Sequence, residues 1–549
     1  MAAARYRDGM TAWPRRGPTV TALLALASVT WVLGSGHAAA AARAPQSGGS
    51  SSWTVYHGDA AGSGVAGPVA AVNTTTRAWT SPALDGEIYG EPLVSSGRVY
   101  VATEDDAVYA LSATTGAVVW STHLGRPVPS NDLPCGNIAP TVGITGTPVI
   151  DQSRGEIFVV ADELVLGQPA HMLIGLSTAS GQPETTQDVD PAADTAALLQ
   201  RTGLTIDDGQ VVFGLGGNYG DCAAYRGRLI AVPETGGPPK TFTVDAAVGE
   251  SQGAIWMGGA APVVDSRGDI WVSTGNGSVY SYSHAYDNSD SVLELSPSLK
   301  LLQFFAPSTW AADNSQDLDM STAPALLSDG QVLLAGKSRI VYLLNGAHLG
   351  GIGGQQAALD SACSQDIDGG VAVQGTTAYL PCFSGIIAVR AVKSPAALQL
   401  LWSSGTGGGP AIVAAGLVWT IGQNGMLYGL SPATGKVRQQ APVGVPANHF
   451  PTPSVADGLL LAPAADQVVA FTASASATGV TTPPASTAAA KPTPARSPLP
   501  TSHASSPPTA AAPGGGPSAG AIAGLVVAGL VVIGGIGWLV WRRRTSGSR

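Results

Sequence analysis

Val108 to Trp120 reads VYALSATTGAVVW, and a degraded copy, LYGLSPATGKV, returns at Leu427 to Val437. A unit repeated that far apart constrains the chain to a repeat architecture, in which neighbouring copies bury one another's apolar faces. The unit is a short apolar strand, a polar turn closed by Gly116 and a second strand, which together read as a β-hairpin. Gly116 supplies the positive φ that such turns need, and the small and β-branched residues beside it suit a half-buried pleated surface. Trp120 then offers one large side chain per unit to a neighbouring sheet.

Strands of the same form occur at Leu173 to Leu176, Leu229 to Val232, Val292 to Leu295, Val341 to Leu344, Ile387 to Val389, Leu427 to Leu430 and Val468 to Phe471. With Val108 to Leu111 they make eight copies. Several are preceded by a fainter motif of proline and two small or apolar residues, as in Pro148-Val149-Ile150, Pro262-Val263-Val264 and Pro324-Ala325-Leu326. Each unit therefore reads as about four strands, and radial repetition of such sheets is a β-propeller. The sequence predicts an all-β fold, an eight-bladed propeller of four-stranded blades over 50–472.

The ends of the chain read differently. Arg15-Arg16, the apolar run Val20 to Leu33 and the small residues Ala38 to Ala42 have the three regions of a secretory signal, giving a signal peptide over 1–42. Residues 473–518 are almost wholly Ala, Pro, Ser, Thr and Gly, a composition that cannot bury a core and reads as a disordered stalk. Ala519 to Trp541 carries no charge and is followed by Arg542-Arg543-Arg544. It is long enough to be a transmembrane helix, and the arginines assign 542–549 to the cytoplasm. The expectation is a single-pass cell-membrane protein with its propeller outside. Residues 1–40 and the tail are basic, so the formal charge of −10 understates the acidity of the body, which excludes nucleic acid as a partner. The remaining expected partners are the membrane itself and an unidentified protein or component of the envelope.

Four cysteines in an exported body point to disulfides. Cys363 and Cys382 flank one strand pair and are paired with each other, which leaves Cys135 for Cys222. No CxxCH is present for a covalent haem, and no Walker loop, HExxH or GxSxG elbow occurs.

The repeat, the opening Trp53-Thr54-Val55-Tyr56-His57-Gly58-Asp59, the strand end Thr274-Gly275-Asn276-Gly277 and the segment Trp310 to Pro324 together resemble the pyrroloquinoline quinone (PQQ) repeat propellers. That superfamily holds the quinoprotein alcohol dehydrogenases and a non-enzymatic branch typified by the propeller lipoprotein of the outer-membrane assembly machine. The resemblance implies eight blades, the last closed by a strand from near the N-terminus, here Thr76 to Ser81 with Trp79. For the enzymes it implies a quinone held flat between apolar faces, a Ca²⁺ acting as Lewis acid and a carboxylate that takes the substrate's hydroxyl proton.

Carried over residue by residue, the resemblance makes Asn276 a cation ligand, Asp221 (ahead of Arg226-Gly227) a second one, Trp256 the stacking base and Lys337 the positive group near the quinone. Aligning Asp317-Leu318-Asp319 with the end of the enzymes' motif puts Asn314 at the position of the base, and an amide cannot accept that proton. Asp313, Asp317 or Asp319 would serve only with a shifted loop, and each also reads as a capping or turn residue. Two adjacent cysteines that cover the quinone in many of the enzymes are absent. The acidic loop Tyr286 to Asp290 lacks the regular spacing of a dedicated Ca²⁺ loop. The expected function is therefore a non-catalytic binding or scaffold module of the envelope, without an assigned cofactor. The alternative is an atypical PQQ- and calcium-dependent dehydrogenase of an alcohol or sugar.

Overall fold

The computed structural model describes residues 52–190, 194–247 and 249–475. Within them, eight sheets built on four antiparallel strands succeed one another along the chain as the blades of a propeller. The first blade consists of Leu93–Ser95, Arg98–Ala102, Ala107–Ser112 and Val118–His123. The eighth takes Ser454–Ala456, Leu459–Ala464 and Gln467–Ala475 from the end of the described chain, and its outer strand is Val69–Thr80. Thr80 faces Val469 and Val69 faces Ala475, so the strand expected at Thr76 to Ser81 does close the ring, and begins earlier than expected. The third and fourth blades each gain a short fifth strand, Leu198–Leu199 and Gly351–Ile352.

All eight repeated segments lie in the third strands of the blades, for example Ser291–Leu295, Val341–Asn345 and Met426–Leu430. Those strands are the most apolar because sheets cover both of their faces. In the first blade Ala107 to Leu111 is buried throughout, while Val118–His123 alternates between exposed and half-buried positions at the rim. The core is accordingly a series of layers between blades. One layer runs from Trp419 through Leu461 and Phe471 to Tyr100 and Ile157, and another joins Phe158 to Phe213.

The tryptophans of the repeat explain how blades dock. Trp79, Trp120 and Trp402 each donate the indole N–H to a carbonyl in the turn of the next blade, those of Ala113, Thr178 and Pro432, at 2.8, 3.1 and 2.7 Å. Each ring lies on the glycine three residues further on. A Cβ at Gly116, Gly181 or Gly435 would stand 2.5 Å from the ring, and all three glycines have positive φ. Glycine is thus required twice, by the turn and by the tryptophan.

Cys135–Cys222 and Cys363–Cys382 are both bonded, as paired from the sequence. The signal segment, nearly all of the stalk, Ala519 to Trp541 and the basic tail lie outside the described residues, among which no helix is long and apolar enough to cross a membrane.

Candidate active site

In an antiparallel blade the second and fourth strands end at the same edge, so the turns after second strands and the links between blades gather on one face. Asn276 follows the second strand of the fourth blade, Ile270–Thr274, and Lys337 follows that of the fifth, Gln331–Ala335. Asp221 follows Gln210–Gly217 in the third, while Trp256 and Asp317 to Asp319 lie in links between blades.

These groups are interlocked. Asp319, buried, accepts the Asn276 backbone N–H on one oxygen at 2.7 Å and pairs with the Lys337 ammonium through the other at 2.6 Å. Asp317 holds the same ammonium at 2.7 Å, with its own side chain 64% exposed against 5% for Asp319. Lys337 Nζ stands 5.5 Å from the centroid of the half-buried Trp256 ring, a cation–π contact. Burial alone would lower the Lys337 pKa, but Asp319 and Asp317 raise it above its ordinary value, so the side chain is a fixed cation.

Asp221 accepts a hydrogen bond from the Tyr225 hydroxyl at 2.7 Å. Its pKa is raised by burial and by Asp319 and Asp317, against the opposing Tyr225 bond and Lys337. Asp290 is wholly buried with neither carboxylate oxygen hydrogen-bonded, and burial followed by Asp319, Asp313 and Asp287 pushes it well above the carboxylate range. The Asn276 side-chain amide has no hydrogen bond to any described residue, although the residue is 7% exposed.

Asn314 and Asp313 sit on the single helical turn Trp310–Asn314 and are otherwise engaged. The Asn314 amide accepts the Gly277 N–H and donates to the Val279 carbonyl, both at 2.7 Å, so it clamps the Asn276 loop. Asp313 accepts the Thr309 hydroxyl at 2.6 Å. The carboxylates that reach Lys337 are Asp317 and Asp319.

The geometry therefore gathers Trp256, Asn276, Lys337 and Asp221 around a pair of aspartates, with carboxylates in excess of ammonium. Oxygen donors with surplus negative charge, a free amide among them, are of the kind that a hard divalent cation takes, and Asn276, Asp319 and Asp221 are the residues that could hold one. The Asp265, Asp269 and Glu294 cluster is different, because the Arg267 guanidinium pairs with all three. Phe450 and Arg201 also adjoin the site. Phe450 contacts Trp256, with centroids 6.0 Å apart and planes at 57°, and Arg201 lies over the Phe450 ring at 5.3 Å. Phe450 stands in the link between the seventh and eighth blades and Arg201 between the short strands Leu198–Leu199 and Thr205–Asp207 of the third, and no pattern in the sequence signals either.

A family model described as outer membrane protein assembly factor BamB matches residues 44–294. The polyvinylalcohol dehydrogenase of Sphingopyxis sp. (strain 113P3) is 25% identical over 328 residues, covering 50% of this chain and 46% of that protein, so the match spans less than half of the relative. Among solved structures, the quinohemoprotein alcohol dehydrogenase of Comamonas testosteroni superposes with a TM-score of 0.59 at 16% identity, over 77% of this chain and 80% of the other. A europium-containing methanol dehydrogenase gives 0.55 at 15% identity, over 75% and 89%. At these identities the structural likeness is one of fold.

Proposed function

Because this chain is a pyrroloquinoline quinone repeat β-propeller of the quinoprotein alcohol dehydrogenase-like kind, we propose that it works as a PQQ- and calcium-dependent dehydrogenase of an alcohol. One observation carries the reading: two aspartates and the Lys337 ammonium meet at the Trp256 ring beside an Asn276 amide that has no partner among the described residues. The contrasting expectation of a non-catalytic module rested on the stalk, the anchor and the amide at Asn314. Of these, Asn314 is engaged with backbone, its amide bonded to the Gly277 N–H and the Val279 carbonyl, and carboxylates stand nearby at Asp317 and Asp319.

When bound, the quinone supplies a two-electron acceptor and calcium a Lewis acid. Trp256 offers a flat apolar face to stack on, and Asn276, Asp319 and Asp221 would hold the cation through oxygen. Asp317, the more exposed carboxylate, takes the hydroxyl proton of the substrate. Lys337 pairs with Asp317 and Asp319 and presents positive charge where an oxygen gains electron density. The apolar runs at both ends support an exported propeller tethered through Ala519 to Trp541.

The test is reduction of an artificial electron acceptor by full-length protein supplied with PQQ and Ca²⁺, using alcohols from ethanol to polyvinyl alcohol. Activity that needs both additions supports the assignment. Failure to bind PQQ in calorimetry with Ca²⁺ present would overturn it.

A further inference from the structure

Asp245 stands in the link between the third and fourth blades and is fully buried, yet neither of its carboxylate oxygens has a hydrogen bond to a described residue. Burying a carboxylate is costly unless it is paired or coordinates a metal. Two more oxygens close by are left over. Asp287, 3% exposed in the loop before Ser291–Leu295, accepts the Ser289 N–H on one oxygen at 3.1 Å, while its other oxygen is buried without a partner among the described residues. The same holds for the side-chain carbonyl of Gln252, in the link that carries Asp245.

The backbone brings these groups together. Gln252 pairs with Gly277 in an antiparallel bridge, and the Gly253 N–H bonds to the Asn276 carbonyl at 2.8 Å. A Cβ at Gly277 would stand 2.6 Å from the free oxygen of Asp287, and one at Gly253 would stand 3.0 Å from the carboxyl carbon of Asp245. Each segment of the bridge thus has a glycine where a carboxylate closes on it. The charges agree with this geometry. After burial, Asp287 is the group that most raises the pKa of Asp245, and the half-buried Glu250 raises both aspartates. The opposing charge at Asp245 is Arg226, whose guanidinium is engaged by the backbone carbonyls of Glu250 and Ala247 at 3.2 and 3.0 Å. Ordered water would satisfy the free acceptors but leave their charge uncompensated. Carboxylates and an amide carbonyl, all oxygen and with negative charge in excess, are the donor set of a hard divalent cation.

We infer that Asp245, Asp287 and Gln252 form a second Ca²⁺ site, which ties the link ahead of Trp256 to the Asp287 loop of the fourth blade. None of the three belongs to the group assigned to the quinone, so the site stands apart from that reading. Its effect reaches that group through the backbone. A Cβ at Gly275 would stand 2.6 Å from Asp319, just as one at Gly277 would from Asp287, so a cation here braces the strand end that presents Asn276.

The experiment is a calorimetric titration of full-length protein, stripped with a chelator and free of quinone, with Ca²⁺ alone. Asp245→Asn and Asp287→Asn keep the shape of the side chain, and each is expected to abolish one binding event. Asp319→Asn, at the Asn276 group, should retain that event. Gln252→Glu adds a charged ligand and is expected to tighten it about tenfold, which a loosened fold would not do. Circular dichroism and thermal melting establish that each variant is folded. If Asp245→Asn and Asp287→Asn bind Ca²⁺ as the wild type does, or if Gln252→Glu binds it more weakly, the site is overturned. An event lost in Asp319→Asn and kept in Asp245→Asn belongs to the Asn276 group, and if it is the only one, the second site is overturned while the first stands. An event lost in Asp245→Asn and kept in Asp319→Asn supports the second site whether or not PQQ binds. A wild type that binds no Ca²⁺ overturns it.

Discussion

At the scale of single residues, the division of labour between Asp317 and Asp319 decides the chemistry. Asp317→Asn removes the exposed proton acceptor while keeping its shape, and kcat is expected to fall by about a thousandfold, within the range for loss of a general base. Affinity for PQQ and Ca²⁺ should stay near wild type. Asp319→Asn should instead weaken calcium binding, because its carboxylate organises the Asn276 loop. Comparing kcat with the calcium requirement of the two variants checks the assignment, and exchanged phenotypes would reverse it. A second residue-level prediction concerns stability away from the site. His171, 2% exposed, is held between Asp162 at 3.1 Å and Asp190 at 2.6 Å. Burial disfavours the imidazolium, but the two carboxylates prevail and raise the pKa to about 9. Burial above all raises Asp162 to about 7, against the pull of His171. Both groups have folded pKa values above their unfolded ones, so both contributions have the same sign: stability is greatest at low pH and falls as pH rises. The Asp162 contribution fades from about pH 4 to 7 and that of His171 from about 6.5 to 9. Melting temperatures measured from pH 5 to 10 should fall across this window, and His171→Asn should flatten the upper part of the curve.

At the scale of the element, the turn glycine and the docked tryptophan act as one unit, and their contributions separate by comparison. Gly181 has φ +73°, and a Cβ there would meet the Trp120 ring at 2.5 Å, while Gly209 has φ +72° and nothing within 4 Å. Gly209→Ala is expected to cost about 1 kcal/mol from backbone strain alone. Gly181→Ala should cost about 2–4 kcal/mol, because overpacking adds to the same strain. Denaturant unfolding of both variants measures the difference, and equal losses would mean that the ring yields freely. The same contrast explains what could be read from the sequence. The third strands were legible because a strand covered on both faces must be a continuous apolar run, and the repeat glycine recurs because turn and ring both demand it. Trp256, Asn276, Lys337 and Asp221 came from the resemblance, and the structure brings them together around Asp317 and Asp319. Asp317 and Asp319 entered only as substitutes that needed a shifted loop, since a linear alignment puts Asn314 at the base position and only the folded link shows which side chains reach Lys337. Arg201 and Phe450 left no trace at all, because the loops that carry them match no motif.

At the scale of the whole molecule, what matters is that the ring is closed by Val69–Thr80 against Gln467–Ala475, strands from opposite ends of the propeller. The four main strands of every other blade come from one continuous stretch of chain. Two tryptophans allow this difference to be measured with almost nothing else changed. Trp79 and Trp402 are each 8% exposed. Their indole bonds are 2.8 and 2.7 Å, and each ring lies 2.5 Å from the Cβ position of its glycine. Trp402 joins the sixth blade to the seventh, next in the chain, whereas Trp79 joins the closing strand to the first blade. Removal of either ring should cost about 3–5 kcal/mol at equilibrium, the usual loss for a buried tryptophan. The kinetic partition should differ. Contacts between adjacent blades need little chain closure and form early, but the closing strand has to wait until seven blades stand in place, and its contacts are absent from the transition state. A substitution at such a position leaves folding nearly untouched and appears in the unfolding rate. Trp79→Ala is therefore expected to unfold about a hundredfold faster or more, with little change in refolding, while Trp402→Ala divides a similar loss between both rates. Stopped-flow unfolding and refolding in guanidinium checks this. Equal partition at the two sites would show that the ring closes early, with the N-terminal strand already part of the folding nucleus.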